Sequence, residues 1–213
     1  MQRPSFFSRR KALAHILRAW PAGLALPLLF PPSAYAGRQV EEPLIDSVRS
    51  ALSSAIHQSA PPVPTFAQDS VRQQYARWLD SMAERLRRRK ADALEHKEFL
   101  PTVWYESKRA GLDVALVLGL IQVESNFRKF AISSAGARGY MQVMPFWTRL
   151  IGDGDAGTLF HMQTNLRFGC VILRHYLDTE NGDLFLALGR YNGSRGQRPY
   201  PDAVLAARRA WEL

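Results

Sequence analysis

The sequence predicts a mainly α-helical protein, and two observations predict it. Apolar residues recur at helical spacing through most of the chain after residue 68, and no segment shows the sustained apolar–polar alternation of a half-buried strand. The chain has 213 residues, 46% of them hydrophobic, which is enough to bury a substantial core. Its single cysteine excludes a disulfide framework and a cysteine-based zinc site.

The first 36 residues have the order of parts that is typical of a secretory signal peptide. They contain five basic and no acidic residues, an apolar run over 22–30, and a small-x-small cleavage site at 34–36. Nine apolar residues at about 1.5 Å each are too short to cross a hydrocarbon core of about 30 Å. We therefore predict a cleaved signal peptide over residues 1–36, a periplasmic location and no permanent membrane anchor. The paired Arg9 and Arg10 indicate twin-arginine export, with Sec export left open.

The charge balance disfavours nucleic acid as a partner. The chain has a formal charge of +9 at pH 7, but five of its 28 basic residues lie in residues 1–36. The remaining 23 basic residues face 19 acidic ones, which leaves a charge of about +4. Part of that excess lies in the run over 85–90, which we interpret as a solvated helix face. Because nucleic-acid binding depends on many basic contacts to phosphate, we predict no nucleic-acid partner.

Proline residues separate the exported chain into a lead and a domain. Residues 47–59 predict a short helix, and the proline-rich stretch over 61–64 marks a boundary after it. We therefore interpret residues 37–67 as a linker with a short helix, and residues 68–213 as one helical domain.

That domain divides into a helical lead-in over 68–110 and a motif-bearing core over 111–206. Its predicted helices are an amphipathic stripe over 75–82, residues 91–110 ended by Gly111, residues 114–124 begun by the N-cap Asp113, and a stripe over 166–177. The third of these helices is apolar on almost all sides, which predicts a position at the centre of the domain. Cys170, in the last stripe, is interpreted as a small buried hydrophobe.

Glu124 stands at the end of the apolar helix, where a carboxylate is costly to bury. Desolvation and the negative end of the helix dipole are both expected to raise its pKa. A carboxylic acid held neutral near pH 7 is suited to act as a general acid. Helix geometry alone leaves open the alternative that Glu124 turns to solvent or caps the following turn.

The motifs around and after Glu124 resolve this alternative through a family resemblance. They are Glu124-Ser125-Asn126-Phe127, residues 133–145, Asn165, Gly169, Tyr176-Leu177, Tyr191-Asn192-Gly193 and Tyr200-Pro201. This series, over about residues 99–206, resembles the soluble lytic transglycosylase (SLT) domain, a lysozyme-like family with goose-type relatives. The resemblance implies a lysozyme-like helical catalytic domain that acts on peptidoglycan glycan strands and needs no metal or organic cofactor. The implied reaction cleaves the β-1,4 bond between N-acetylmuramic acid and N-acetylglucosamine.

The resemblance also implies roles for individual residues. Glu124 matches the single catalytic acid and base of the family. Five further residues match substrate-binding positions: Ser125 near the sugar's N-acetyl group, Met141 and Gln142 in the cleft wall, Tyr191, which steadies the catalytic carboxyl, and the polar cleft residue Asn192. The chain departs from the usual family pattern at Lys129, at Tyr140 and over residues 190–194.

A single carboxylate implies that the substrate supplies the nucleophile. In the implied route, Glu124 protonates the glycosidic oxygen and the muramic N-acetyl carbonyl closes on C1. The carboxylate then deprotonates the C6 hydroxyl, which attacks C1 and leaves a 1,6-anhydro end. Two alternatives stay open: a hydrolase on the same fold in which Asp153 or Asp155 activates water, and a non-catalytic wall-binding module attached to envelope or secretion machinery.

Overall fold

The computed structural model describes residues 39–44, 46–57, 64–87 and 93–213. Within these ranges the chain forms α1 (Asp46–Ile56), α2 (Asp69–Arg87), α3 (Ala93–Arg109), α4 (Val114–Ser125), α5 (Phe146–Ile151), α6 (Met162–Thr179), α7 (Leu184–Asn192) and α8 (Pro199–Arg208). Short 3₁₀ helices cover Ala156–Phe160 and Arg209–Trp211. The extended pairing in the described ranges consists of isolated bridges between Ile132, Arg138 and Val143. The mainly α-helical prediction is confirmed, and the predicted signal peptide lies outside the described residues.

Helix caps explain why the sequence located the central helices well. The side chain of Asp113 accepts a hydrogen bond of 2.8 Å from the backbone N–H of Leu116, so α4 begins where the N-cap predicted. Gly111 has a φ of 64°, as the end of the preceding helix requires. The helix predicted over 91–110 is α3, and none of the helices in the described ranges combines the length and apolar character that a bilayer crossing requires.

Helix α4 occupies the centre of the domain, as its apolar composition predicted. Ten of its twelve residues are buried, and it packs against α3, α8 and the last 3₁₀ helix. The closest approach to α8 is at Gly119, where an added Cβ would lie 2.6 Å from the backbone nitrogen of Arg208. Only a residue without a Cβ fits between these two backbones.

The described part of the segment interpreted as a linker packs onto the domain. The indole Nε1 of Trp147 donates a 3.0 Å hydrogen bond to Oε1 of the buried Gln39, whose Nε2 donates to the carbonyl of Tyr191. Glu42 forms a salt bridge of 2.8 Å with Arg190. Residues 39–44 and 46–57 therefore belong to the folded unit, and α1 packs against α5 and α6.

A buried ion cluster fastens the end of α1. Glu106 is 1% exposed and pairs with Arg167 at 2.8 Å and with Arg109 at 3.0 Å. Arg167 donates to the carbonyl of Ile56 at 3.3 Å, and Arg109 donates to the carbonyl of Ala55. The last carbonyls of α1, which lack partners within the helix, are satisfied in this way.

We expect Glu106→Gln to lower the free energy of unfolding by about 3 kcal/mol, because the buried Arg167 and the partly buried Arg109 would lose their shared counter-charge. Urea unfolding monitored by circular dichroism measures this change. The matched control is Glu41→Gln, which removes the exposed partner of Arg149 and is expected to cost less than about 0.5 kcal/mol. Equal losses for the two variants would contradict a structural role for the buried cluster.

We expect Gly119→Ala to destabilise the protein by about 1–3 kcal/mol even though alanine favours helix, because its methyl group would push α8 away from α4. Thermal unfolding measures the effect. Ala206→Ser adds one heavy atom at an exposed position of α8 and serves as the control, with a change within about 0.5 kcal/mol. A Gly119→Ala protein as stable as the parent would mean that the two helices do not need this close contact.

Candidate active site

Glu124 lies in the last turn of α4 with its side chain turned into the protein. It is 4% exposed, which excludes the alternative that it faces solvent. Its Oε1 accepts a 2.5 Å hydrogen bond from the hydroxyl of Tyr200, whereas Oε2 is buried without a hydrogen-bond partner among the described residues. Burial raises the pKa of Glu124 to about 8, and the Tyr200 hydrogen bond opposes that shift. The carboxyl is therefore mostly protonated at neutral pH.

Tyr200 is brought to Glu124 by the packing of α8 across α4. It lies in the first turn of α8, is 1% exposed, and follows Pro199 at the helix start. Burial and the nearby Glu124 charge raise the pKa of Tyr200 well above its ordinary value, so the phenol keeps its proton and remains a donor. The sequence motif contains Tyr200 but gives it no role, because a contact across 76 residues leaves no local pattern.

Tyr191 lies near Glu124 but uses its hydroxyl elsewhere, and its implied role of steadying the carboxyl stays a prediction. Its hydroxyl donates to the backbone carbonyl of Met141 at 2.8 Å. It lies close enough that the charge of Glu124 contributes to raising its pKa. In this structure Tyr200, not Tyr191, is the tyrosine that donates to Glu124.

Met141 joins the candidate site through its backbone. Its N–H donates to Oδ1 of Asn165 at 2.8 Å, and its carbonyl is the acceptor for Tyr191. Its side chain is fully buried and packs against Gly169, where an added Cβ would lie 2.3 Å from the Met141 sulfur. The Met141 side chain therefore contributes to the core, and its predicted place in a cleft wall stays a prediction.

Gln142 holds the loop that follows α4. Its Nε2 donates to the carbonyls of Ala131 and Gly139, both at 3.0 Å, and its backbone has a φ of 47°. The side chain is 3% exposed. One donor group of Gln142 is thus committed to loop carbonyls, while its contact with substrate stays a prediction.

Ser125 and Asn192 form local hydrogen bonds. The Ser125 hydroxyl is fully buried and donates to the carbonyl of Ile121 in its own helix at 3.1 Å. Asn192 donates from Nδ2 to the Ser194 hydroxyl at 3.0 Å, and its buried Oδ1 lacks a partner among the described residues. Their substrate-binding roles remain predictions. Asn192 still offers an unused acceptor, whereas the Ser125 hydroxyl already has its partner.

Asp153 and Asp155 have structural tasks in an exposed loop. Oδ1 of Asp155 accepts a 2.7 Å hydrogen bond from the N–H of Gly157 and caps the 3₁₀ helix that begins at Ala156. Oδ1 of Asp153 accepts from the N–H of Asp155 at 3.0 Å. Each carboxylate thus has a capping role that accounts for its position. Throughout the part of the chain that the structure describes, no cluster of three His, Cys, Asp or Glu side chains could hold a metal ion.

Comparison with known proteins gives the same family over most of the domain. Residues 102–200 match the model of the transglycosylase SLT domain. Membrane-bound lytic murein transglycosylase C of Haemophilus ducreyi is 32% identical over 115 residues, which cover 47% of this chain and 31% of the relative. The protein of the same name from Glaesserella parasuis is 49% identical over 49 residues, 23% of this chain and 14% of the relative. This chain thus spans less than a third of the length of either relative.

Among solved structures, an inactive mutant of lytic transglycosylase Slt from Pseudomonas aeruginosa is similar to this chain. The two are 24% identical with a TM-score of 0.41, over 52% of this chain and 21% of that one. The family match itself rests on residues 102–200, which include Glu124, Tyr191 and Tyr200. Over these residues, the chain is similar to the transglycosylase SLT domain.

Proposed function

We propose that the chain is a peptidoglycan lytic transglycosylase in which Glu124 is the single general acid and base. The observation that carries this proposal is a buried carboxyl with a pKa of about 8 inside a transglycosylase SLT domain. Protonating a glycosidic oxygen near pH 7 needs an acid of this kind, because an ordinary glutamate has already lost its proton. The names of the curated relatives support murein, the peptidoglycan of the wall, as the substrate.

The two oxygens of Glu124 take different parts in the proposed reaction. Oε1 is occupied by the Tyr200 hydroxyl, so Oε2 carries the proton that passes to the glycosidic oxygen. The N-acetyl carbonyl of the muramic sugar then closes on C1 as the glycosidic C1–O bond breaks, and the N-acetylglucosamine side leaves with the proton as a free hydroxyl. The carboxylate that remains takes a proton from the C6 hydroxyl, whose oxygen attacks C1, displaces the N-acetyl oxygen and forms the 1,6-anhydro ring. The Tyr200 hydrogen bond stabilises the carboxylate between these two proton transfers.

The two carboxylates that could activate water in a hydrolase have structural hydrogen bonds instead. Asp153 and Asp155 support the loop, so the proposal does not use them as bases for water. The predicted signal peptide supports a periplasmic location. Peptidoglycan lies in the same compartment, so the proposed enzyme and substrate would meet there.

We expect Glu124→Gln to lower the rate of fragment release from purified peptidoglycan by at least about 100-fold, because the amide can neither donate nor recover the proton. Mass spectrometry of the released fragments measures both rate and product. The parent protein should release anhydro ends, which are lighter by one water than the products of hydrolysis. Hydrolytic products would instead favour a hydrolase, and Asp153→Asn and Asp155→Asn would then identify its base.

Stability against pH separates this loss of chemistry from a loss of fold. Between its ordinary pKa of 4.5 and about 8, native Glu124 holds a proton that the unfolded chain has released. The free energy of unfolding of the parent therefore falls as the pH rises through this window, and Glu124→Gln lacks that fall. We expect the variant to be the more stable protein at pH 9, as measured by thermal unfolding. A parent protein whose free energy of unfolding does not fall between pH 4.5 and about 8 would mean that the native pKa of Glu124 is not raised.

We expect Tyr200→Phe to reduce activity about tenfold and to move the alkaline limb of the pH–rate profile to higher pH. Removing the hydrogen bond that lowers the pKa of Glu124 leaves the protonated acid present to a higher pH, but with a less stable carboxylate. Tyr191→Phe is the matched control, because its hydroxyl donates to the Met141 carbonyl. An alkaline limb that moves in Tyr191→Phe and not in Tyr200→Phe would contradict the assignment.

A further inference from the structure

A pocket lies at the end of α4 that is opposite to Glu124. It has a volume of about 250 Å³, and its floor includes Val114 and Ala115 in the first turn of the helix. Val114 and Glu124 are ten positions apart, which corresponds to about 15 Å along the helix axis. The pocket is therefore separate from the candidate catalytic carboxyl. The side chains that characterise it are Trp78, Trp104, Trp211, Lys108, Asp113 and Glu212.

Aromatic rings dominate one side of this pocket. Trp78 and Trp104 are half-buried, and the ring of Tyr75 packs against both. Its centroid lies 5.9 Å from that of Trp78 and 5.0 Å from that of Trp104. Trp211 is 1% exposed and donates from its indole nitrogen to Gln122 at 2.9 Å. Since the rings fix one another, the two half-buried indoles present faces that are already ordered before a ligand arrives.

Polar groups of both signs line the other side. Asp113 and Glu212 are each 50% exposed and lie 3.2 Å and 3.3 Å from Nε of the same Arg208. Lys108 is an exposed lining residue of opposite charge. The two carboxylates are thus held as oriented acceptors, and two cations beside them balance their charge. Such a lining favours a neutral ligand that has hydroxyl groups as well as apolar faces.

A pyranose sugar has this combination, because its ring C–H bonds form apolar faces and its edges carry hydroxyls. Small ligand sites are typically apolar and aromatic with a few placed polar groups, and the volume here suits about one sugar unit. Lys108 and Arg208 would repel an isolated cation. A purely apolar group would cover Asp113 and Glu212 and leave their carboxylates without hydrogen bonds.

We propose that this pocket is a second, non-catalytic saccharide-binding site that takes one amino-sugar unit of a glycan chain. Its saccharide character follows from the lining, whereas the choice of peptidoglycan as the natural glycan rests on the proposed function. A strand bound there is retained by the protein independently of the bond being cleaved at Glu124.

The test is a titration of Glu124→Gln protein with the β-1,4-linked trisaccharide of N-acetylglucosamine, monitored by NMR of the tryptophan indole N–H signals. The chain has five tryptophans, so single Trp→Phe variants assign each signal. We expect the signals of Trp78 and Trp104 to shift saturably, and Trp104→Ala to weaken that binding about tenfold. Trp104→Phe keeps a ring and is expected to bind within about threefold of the parent. Thermal unfolding of each variant confirms that it is folded.

Three outcomes overturn the proposal. The first is that the Trp78 and Trp104 signals do not move at millimolar trisaccharide. The second is that they move with a stem tetrapeptide and not with the sugar. The third is that the Trp78 signal moves equally in parent and Trp104→Ala protein. Because binding is read without turnover, a saccharide bound here by a protein that releases no anhydro fragments would support the pocket and contradict the proposed function alone.

Discussion

The packing of α8 across α4 is the contact on which the candidate site depends. Gly119 allows the two backbones to approach, and the same helix pair carries Glu124 on one member and Tyr200 on the other. A displacement of α8 would therefore lengthen a hydrogen bond that is only 2.5 Å long. The chemistry of the carboxyl is in this way tied to a backbone contact about one and a half turns before it in α4.

Burying a carboxyl group is unfavourable, and its surroundings reduce the penalty only in part. Desolvation raises the pKa of Glu124, and the single hydrogen bond from Tyr200 is too little to restore the ordinary value. Nearby backbone carbonyls, by contrast, have hydrogen-bond partners, because the side-chain amides of Gln142 and Asn165 each donate to two of them. These four carbonyls thus have partners, while one oxygen of Glu124, like Oδ1 of Asn192, is left without one in the described part of the chain, as expected where a group must exchange a proton.

The sequence allowed prediction of the features that short stretches of sequence determine, namely where helices begin and which of them are buried. The start of α4 at Asp113 and the central burial of Glu124 follow from a cap and an apolar run. The docking of α1 and of residues 39–44 does not, because Gln39 meets Trp147 across 108 residues and Arg167 meets the carbonyl of Ile56 across 111. For the same reason the motif contained Tyr200 but did not predict its hydrogen bond to Glu124. Family positions give residue types, whereas a hydrogen bond is decided by how two helices cross.

Helix α4 gives its two ends opposite electrostatic character, and both proposed sites follow that difference. At its first turn the backbone N–H groups have no partners within the helix and favour anions, and Asp113 caps that of Leu116 while helping to line the pocket. The carbonyl end of the helix disfavours a negative charge, which adds to desolvation in keeping Glu124 protonated. A capping carboxylate that can accept hydrogen bonds from sugar hydroxyls and a neutral acid suited to protonation can therefore be carried by one helix. Because both belong to this helix, its first turn and Glu124 stay about 15 Å apart along the axis, and a glycan held at the first turn is bound at a site distinct from the carboxyl.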